Sequence, residues 1–310
     1  MGTRLTMPTP GDYLLRRDVC SYGYFLLAPN HWDPRTETLT RSLDLSGGIA
    51  AVRIGQPGRG KALVVEGDRR LSRGEQGEVK RLVTRMLHLN DVSVGAFHKV
   101  DGRWKKSGRG RLFRSPTFFE DLIKTVTSCN VTWPSTIVMN RRLCEVVSPA
   151  FPSAQQMARR RAATLRARCR VGYRDKRMVE LGKLVAGGEV EPAWFEDRGN
   201  SDEAVYKALL ALPGIGPYAA ANVMQLLGRY SRVAIDTESV RHGKAVLGMT
   251  GTARQIEKQV AAHFEPFGEH RFRSYWFELW DFYEKKHGPA WTWERDSTGK
   301  MFTAASLTKA

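Results

Sequence analysis

Short apolar runs separated by turn formers fill residues 12–68. Residues 19–28, 39–45, 49–54 and 62–66 are β-prone, and they are parted by Asn30, Asp33-Pro34, Gly47-Gly48 and Pro57-Gly58. Such a series predicts consecutive strands of an antiparallel sheet. From Ser72 the apolar period lengthens. Val79, Leu82, Val83, Met86 and Leu87 share one face of a helix over 72–89. Helices are predicted again at 118–129, with Leu122, Ile123 and Val126 inward, at 137–147 and at 175–186. Ser153 is a cap ahead of a strongly basic stretch, 157–170. Further helices are expected at 237–247, 252–263 and 270–286. The chain therefore reads as α+β: an antiparallel sheet domain with a following helix (1–95), a helical domain (96–290) and a weakly periodic tail (291–310).

One stretch organises the helical part. Leu209-Leu210-Ala211-Leu212-Pro213-Gly214-Ile215-Gly216-Pro217-Tyr218 reads as a helix end, a tight glycine turn and a helix start. Pro213 cannot continue the first helix, and Gly214 and Gly216 allow backbone angles that side chains forbid. Pro217 suits the first turn of the second helix. The turn gathers backbone N–H groups at a helix start, a fit for one phosphate. Taken alone it is also an ordinary αα-hairpin turn. Asp236 follows eighteen residues after Tyr218 (236 against 218), after Val233-Ala234-Ile235 and ahead of Thr237-Glu238-Ser239. It is good helix-capping chemistry in its own right.

Charge changes the picture. Across 310 residues, 49 Lys and Arg oppose 32 Asp and Glu, a net charge of +17. That excess suits a polyanion, nucleic acid above all, with steep salt dependence of binding. The basic loop Gly102 to Arg114 is either a solvated loop or a DNA contact. Cys20, Cys129, Cys144 and Cys169 show no paired spacing, so no zinc site or iron–sulfur cluster is indicated. No apolar run reaches the ~18 residues of a membrane span. No membrane association is expected, and the protein reads as intracellular: cytoplasm or nucleoid in a bacterium, nucleus in a eukaryote.

LPGIGPYAAANVM followed by VAIDTESVRH resembles the helix-hairpin-helix (HhH-GPD) DNA glycosylases of base excision repair, over roughly residues 115 to 285. The amino-terminal layout is similar to the alkyl-purine and 8-oxoguanine branch. The resemblance implies a monomer that binds duplex DNA, flips out a damaged purine, alkylated or oxidised, and hydrolyses its N-glycosidic bond. Asp236 would stabilise charge at C1′ and orient water. Tyr218 stands where the strand-nicking relatives carry a Schiff-base lysine, which implies a monofunctional enzyme. N–H groups near Gly214, Gly216 and Tyr218 would hold a phosphate. Carbonyls of Leu210, Leu212 and Ile215 match positions that ligate an optional Na⁺ or K⁺ in relatives, and no other cofactor is implied.

The same resemblance makes Tyr173 a wedge filling the gap of the everted base, with Asn130 and Arg174 reading the base opposite. Ser135 replaces one arginine of that opposite-base set. The aromatic-dense 273–283 segment, with Trp276 and Tyr283, would form the base pocket together with Tyr218. Gly23 would let a backbone carbonyl approach the base. The rival readings are a thymine or uracil mismatch glycosylase, a non-catalytic helix-hairpin-helix DNA-binding protein, or a lyase using another amine such as Lys244.

Overall fold

The computed structural model describes residues 2–298. Five strands form one antiparallel sheet in the order β1-β5-β4-β3-β2: β1 Arg4–Met7, β2 His31–Asp33, β3 Thr38–Leu45, β4 Gly48–Gly55 and β5 Leu63–Gly67. β3 and β4 pair from Leu39 opposite Ile54 to Leu45 opposite Gly48. Leu39, Leu43, Val52 and Ile54 point into the core from one face, the period of two expected of a sheet covered on one side. β1 adds to the far edge of β5, a pairing that the polar first ten residues did not announce.

Residues 19–28 are not a strand. They follow α1 (Leu15–Val19) and contain a 3-10 turn, Gly23–Leu26, all of whose residues are buried. A run buried on every side lacks the alternation that separates strand from helix. α2 (Arg73–Met86) starts at Ser72, whose side chain accepts from the Glu75 N–H while Glu75 returns the bond, a capping box. α3 (Val94–Val100) adds a helix where none was expected.

α4 (Phe118–Ser128) is capped by Thr117. α5 (Trp133–Val146) begins four residues earlier than expected, because Pro134 is accommodated in a first turn. The basic stretch is broken rather than continuous: α6 (Ala154–Ala158) and α7 (Ala162–Thr164) lead into a π-helical turn over Leu165–Cys169. Ser153 closes a capping box with Gln156 at the start of α6. Next come α8 (Asp175–Ala186), α9 (Pro192–Glu196), α10 (Asp202–Leu210) and α11 (Pro217–Leu226). The last four are α12 (Thr237–Ala245), α13 (Ala253–Phe264), α14 (Arg271–His287) and α15 (Arg295–Thr298).

Buried apolar side chains form two clusters. One unites the sheet with α2, α13 and α14; the other is built from α4, α5, α8, α10 and α11. Arg41 of β3 reaches Glu120 of α4 at 3.0 Å, and Lys124 meets the same carboxylate at 2.7 Å, so a buried ion triad joins them. The start of the expected tail is packed: Trp293 lies 5.3 Å from the Trp280 ring, and the Trp291 carbonyl accepts from Trp32 Nε1. Residues 299–310 of that tail lie outside the described residues. No helix among those described is long and apolar enough to cross a membrane.

Candidate active site

The glycine turn joins α10 to α11 as expected. Gly214 has φ +78°, and a Cβ there would meet Arg177 Cδ at 2.6 Å, so glycine is required twice over. Gly216 corrects the sequence reading. Its backbone is extended (φ −92°, ψ −176°), open to any residue, and it serves as the cap of α11 without any side-chain bond. A Cβ at Gly216 would meet nothing within 4 Å. Both glycines are exposed, and Pro217 occupies the first turn. In the turn, the Leu212 carbonyl accepts from the Ile215 N–H at 3.1 Å.

Tyr218, the second residue of α11, runs from this turn into a cavity of about 360 Å³, inside the ~300–1,000 Å³ range of small-ligand pockets. Asp236 opens into the same cavity as the cap of α12: the Ser239 N–H donates to its Oδ1 at 3.0 Å, and its own N–H donates to Ser239 Oγ at 3.1 Å. Burial pushes the Asp236 carboxyl up to about 6, nearby Glu238 adds to the rise, and the Ser239 bonds oppose it. One face of α14 lines the opposite wall. Phe272, Tyr275, Trp276, Leu279, Trp280 and Tyr283 recur at helical spacing. Trp276 stacks between Phe272 (6.0 Å) and Trp280 (5.3 Å). These rings serve both core and cavity.

Gly23 lies on the cavity as well, in the 3-10 turn rather than in a strand. A Cβ there would come within 3.1 Å of the Trp133 ring. Tyr22 packs 4.6 Å from Trp276, and its hydroxyl donates to Asn222 Oδ1 at 2.6 Å, which fixes the ring.

Asn130, Tyr173 and Arg174 lie together, with the Arg174 guanidinium 4.4 Å from the Tyr173 ring, but they differ in exposure. Asn130, at φ +51°, is exposed just beyond α4, with its amide 3.4 Å from the hydroxyl of half-exposed Tyr173. The Arg177 guanidinium lies 5.4 Å from the Tyr173 ring and its methylene stem lies against Gly214, so the turn and Tyr173 share one surface. Arg174 instead points inward. It is 5% exposed, and it donates to the carbonyls of Val126 (3.1 Å), Val171 (3.3 Å) and Cys129. Its donors are engaged in holding the end of α4.

No family model and no curated protein matches the sequence. Solved structures do match in shape. A 3-methyladenine DNA glycosylase from Archaeoglobus fulgidus superposes with a TM-score of 0.68 at 18% identity, covering 90% of this chain and 98% of the other. MBOgg1, solved with a low-affinity DNA ligand, gives 0.67 at 16%, covering 91% and 97%. The apo 8-oxoguanine glycosylase/lyase of Clostridium acetobutylicum gives 0.60 at 16%, covering 84% and 93%. This chain has the DNA glycosylase fold.

Within that fold the cavity contains side chains that the sequence did not single out. Trp133, Tyr22 and Glu238 are the main ones. Glu238 Oε2 accepts from the Tyr283 hydroxyl at 2.7 Å and from Arg241 Nε at 2.8 Å. The Tyr22-Gly23-Tyr24 triplet, flanked by apolar residues and dense in aromatics, carried a signal; Trp133 and Glu238 had none without the fold. Among the described residues no group of three His, Cys, Asp or Glu is placed to hold a metal ion, and all four cysteines are free.

Proposed function

We propose that this chain is a base excision repair DNA glycosylase that hydrolyses the N-glycosidic bond of an everted, damaged purine. The observation that carries this reading is Asp236, a carboxylate fixed by a helix start and opening into an aromatic cavity reached through Tyr218 from an exposed glycine turn. DNA phosphate would sit on the N–H groups at Gly214, Gly216 and Tyr218, where α11 has no side-chain cap. Tyr173 would fill the vacated stack, and Asn130 beside it would contact the base opposite. As the glycosidic bond lengthens, ionised Asp236 stabilises positive charge at C1′ and orients the attacking water.

Tyr218 has no amine to form an imine, which supports a monofunctional reaction ending at an abasic site. The cavity wall is made of indoles, phenols and two carboxylates, with no Lys or Arg among its described lining residues. Such a wall favours an electron-poor base, a cationic N-alkylated purine ahead of a neutral oxidised one. Carbonyls of Leu210, Leu212 and Ile215 would complete the turn around Na⁺ or K⁺. The Leu212 oxygen retains a lone pair beyond its bond to Ile215, and such an ion would stiffen the phosphate seat.

The test is base release, read by alkali cleavage, from duplexes bearing alkylated purines, 8-oxoguanine, or mispaired thymine or uracil. Alkylated purine should be released fastest. Asp236→Asn should bind the same duplex and release base at least about 100-fold more slowly. Equal release by the variant, or no release from any duplex, overturns the reading in favour of a DNA-binding protein. A borohydride-trapped adduct on abasic DNA would instead show a lyase.

A further inference from the structure

We propose that Tyr275 is a positioning residue that acts through Ser239 to keep Asp236 in one orientation, with Oδ1 saturated and Oδ2 left to the cavity. The proposal rests on the glycosidase reading for its catalytic meaning, but its geometry stands alone. Ser239 Oγ is fully buried and has four neighbours in reach: the Asp236 N–H at 3.1 Å, the Tyr275 hydroxyl at 2.8 Å, Asp236 Oδ1 at 3.2 Å and the Ala234 carbonyl at 3.5 Å.

A serine hydroxyl has one proton and two lone pairs. The Asp236 N–H takes one lone pair. Among the described residues the Tyr275 hydroxyl has no acceptor other than Ser239 Oγ, so its proton takes the second. The serine proton is then directed to Asp236 Oδ1, the nearer and charged acceptor, in preference to Ala234. Together with the Ser239 N–H bond at 3.0 Å, this places two donors on the same carboxylate oxygen.

Tyr275 is suited to the task. It is 2% exposed, and its ring is held edge-on by Phe264 at 5.4 Å and His242 at 6.1 Å, so the phenol cannot swing away. Burial and the Asp236 charge raise its pKa well above the ordinary phenol value, so it remains a donor throughout the working range. Glu238 of the same helix, Tyr218 of α11 and Tyr22 also face Asp236, while Arg241 lies beyond Glu238. Within this group the Ser239 N–H, the Ser239 hydroxyl with Tyr275 behind it, and the Glu238 N–H favour the ionised carboxylate, against burial and the Glu238 charge.

The test is a pair of pH titrations on wild type, Tyr275→Phe, Ser239→Ala and Ser239→Thr. Asp236 is followed by carboxyl-carbon NMR, its signal assigned by its loss in Asp236→Asn, and single-turnover base release is followed across pH 5 to 8.5. In Tyr275→Phe the Asp236 midpoint should rise by about 0.5 to 1 unit. Release at pH 6 should then fall about 2- to 5-fold, and the loss should shrink toward nothing by pH 8. Ser239→Ala should move the midpoint further, and Ser239→Thr, which retains the hydroxyl, should restore it. An unmoved midpoint in Tyr275→Phe and Ser239→Ala, or a rate loss equal at every pH, overturns the proposal. If wild type releases no base, the glycosylase reading fails, and the NMR midpoints still decide this one. If Tyr275→Phe does not fold, the two serine variants decide it.

Discussion

Two stretches of this chain look alike on paper and behave as opposites. Residues 101–114 and residues 159–177 are both dense in arginine and interrupted by glycine. In the first, Arg103 joins Asp101 at 2.7 Å and Glu278 at 2.5 Å, Arg109 meets Asp281 at 3.1 Å and Glu284, and Arg111 meets Asp12 at 2.7 Å. Arg114 donates to the carbonyls of Arg85 and Leu226, both at 2.8 Å. The arginines of this loop are fasteners, held by carboxylates and carbonyls of the fold. In the second stretch Arg159, Arg160, Arg161, Arg168 and Arg170 are exposed without an acidic partner among the described residues, and only Arg166 has one, Asp175 at 3.0 Å. The acids decide the matter: α14 brings Glu278, Asp281 and Glu284 to the first stretch, and nothing comparable faces the second. A positive field exists where charge is uncompensated, and sequence density does not report that.

The comparison breaks most visibly at Arg109. Replacing it with alanine leaves Glu284 without its cation in a largely buried place, while Asp281 retains Lys285 at 2.8 Å, and we expect a loss of about 2–3 kcal/mol in denaturant unfolding. The salt dependence of DNA binding should not move. A shallower salt slope with unchanged stability would make this loop part of the DNA face. The mirror experiment is Arg159→Gln, Arg161→Gln and Arg168→Gln together. Stability should change by less than about 0.5 kcal/mol per site. The slope of log affinity against log salt on duplex DNA should flatten by about 0.9 per lost phosphate contact. A flat response would remove this surface from DNA binding.

How far the sequence reaches follows the same division. The glycine turn, the capping aspartate and the inward face of α2 were legible, because each is a local rule: positive φ, cap chemistry, helical period. The 3-10 turn at Gly23 was not, since a continuously buried run has no period to read. The burial of Arg174 was not legible for the reason that misleads in the basic loop: whether a cation faces solvent or a carbonyl depends on chain segments far away in sequence, here the end of α4. Trp133 and Glu238 become cavity residues only when α5 and α12 are brought beside α14.

Asp236 is the uncompensated charge of opposite sign, and its cost shows in stability. Its folded carboxyl sits at about 6, against 3.8 for an ordinary aspartate. The folded state therefore binds the proton more tightly, and this group's contribution to stability falls as pH rises from about 4 to 6 and stays low above. Asp236→Asn retains a capping side chain and carries no charge. Its unfolding midpoint relative to wild type should be higher at pH 8 than at pH 4. A difference independent of pH would mean that the carboxylate is adequately solvated.

The smallest effect is the sharpest on geometry. Lys105 and Lys106 are exposed, and neither has an ion-pair partner among the described residues, so they are the free charges of the fastened loop. Lys105 borders a surface cleft with Arg59, His98 and Asp91, a cleft that shares no lining residue with the Asp236 cavity. Changing both lysines to glutamine removes as much charge as two of the three arginine substitutions above. If net charge alone governed binding, the two changes would flatten the salt slope by about as much per residue. If the DNA face is the surface that runs from the glycine turn through Arg177 and Tyr173 to Arg168, the slope should stay within about 0.3 of wild type and stability within about 0.5 kcal/mol.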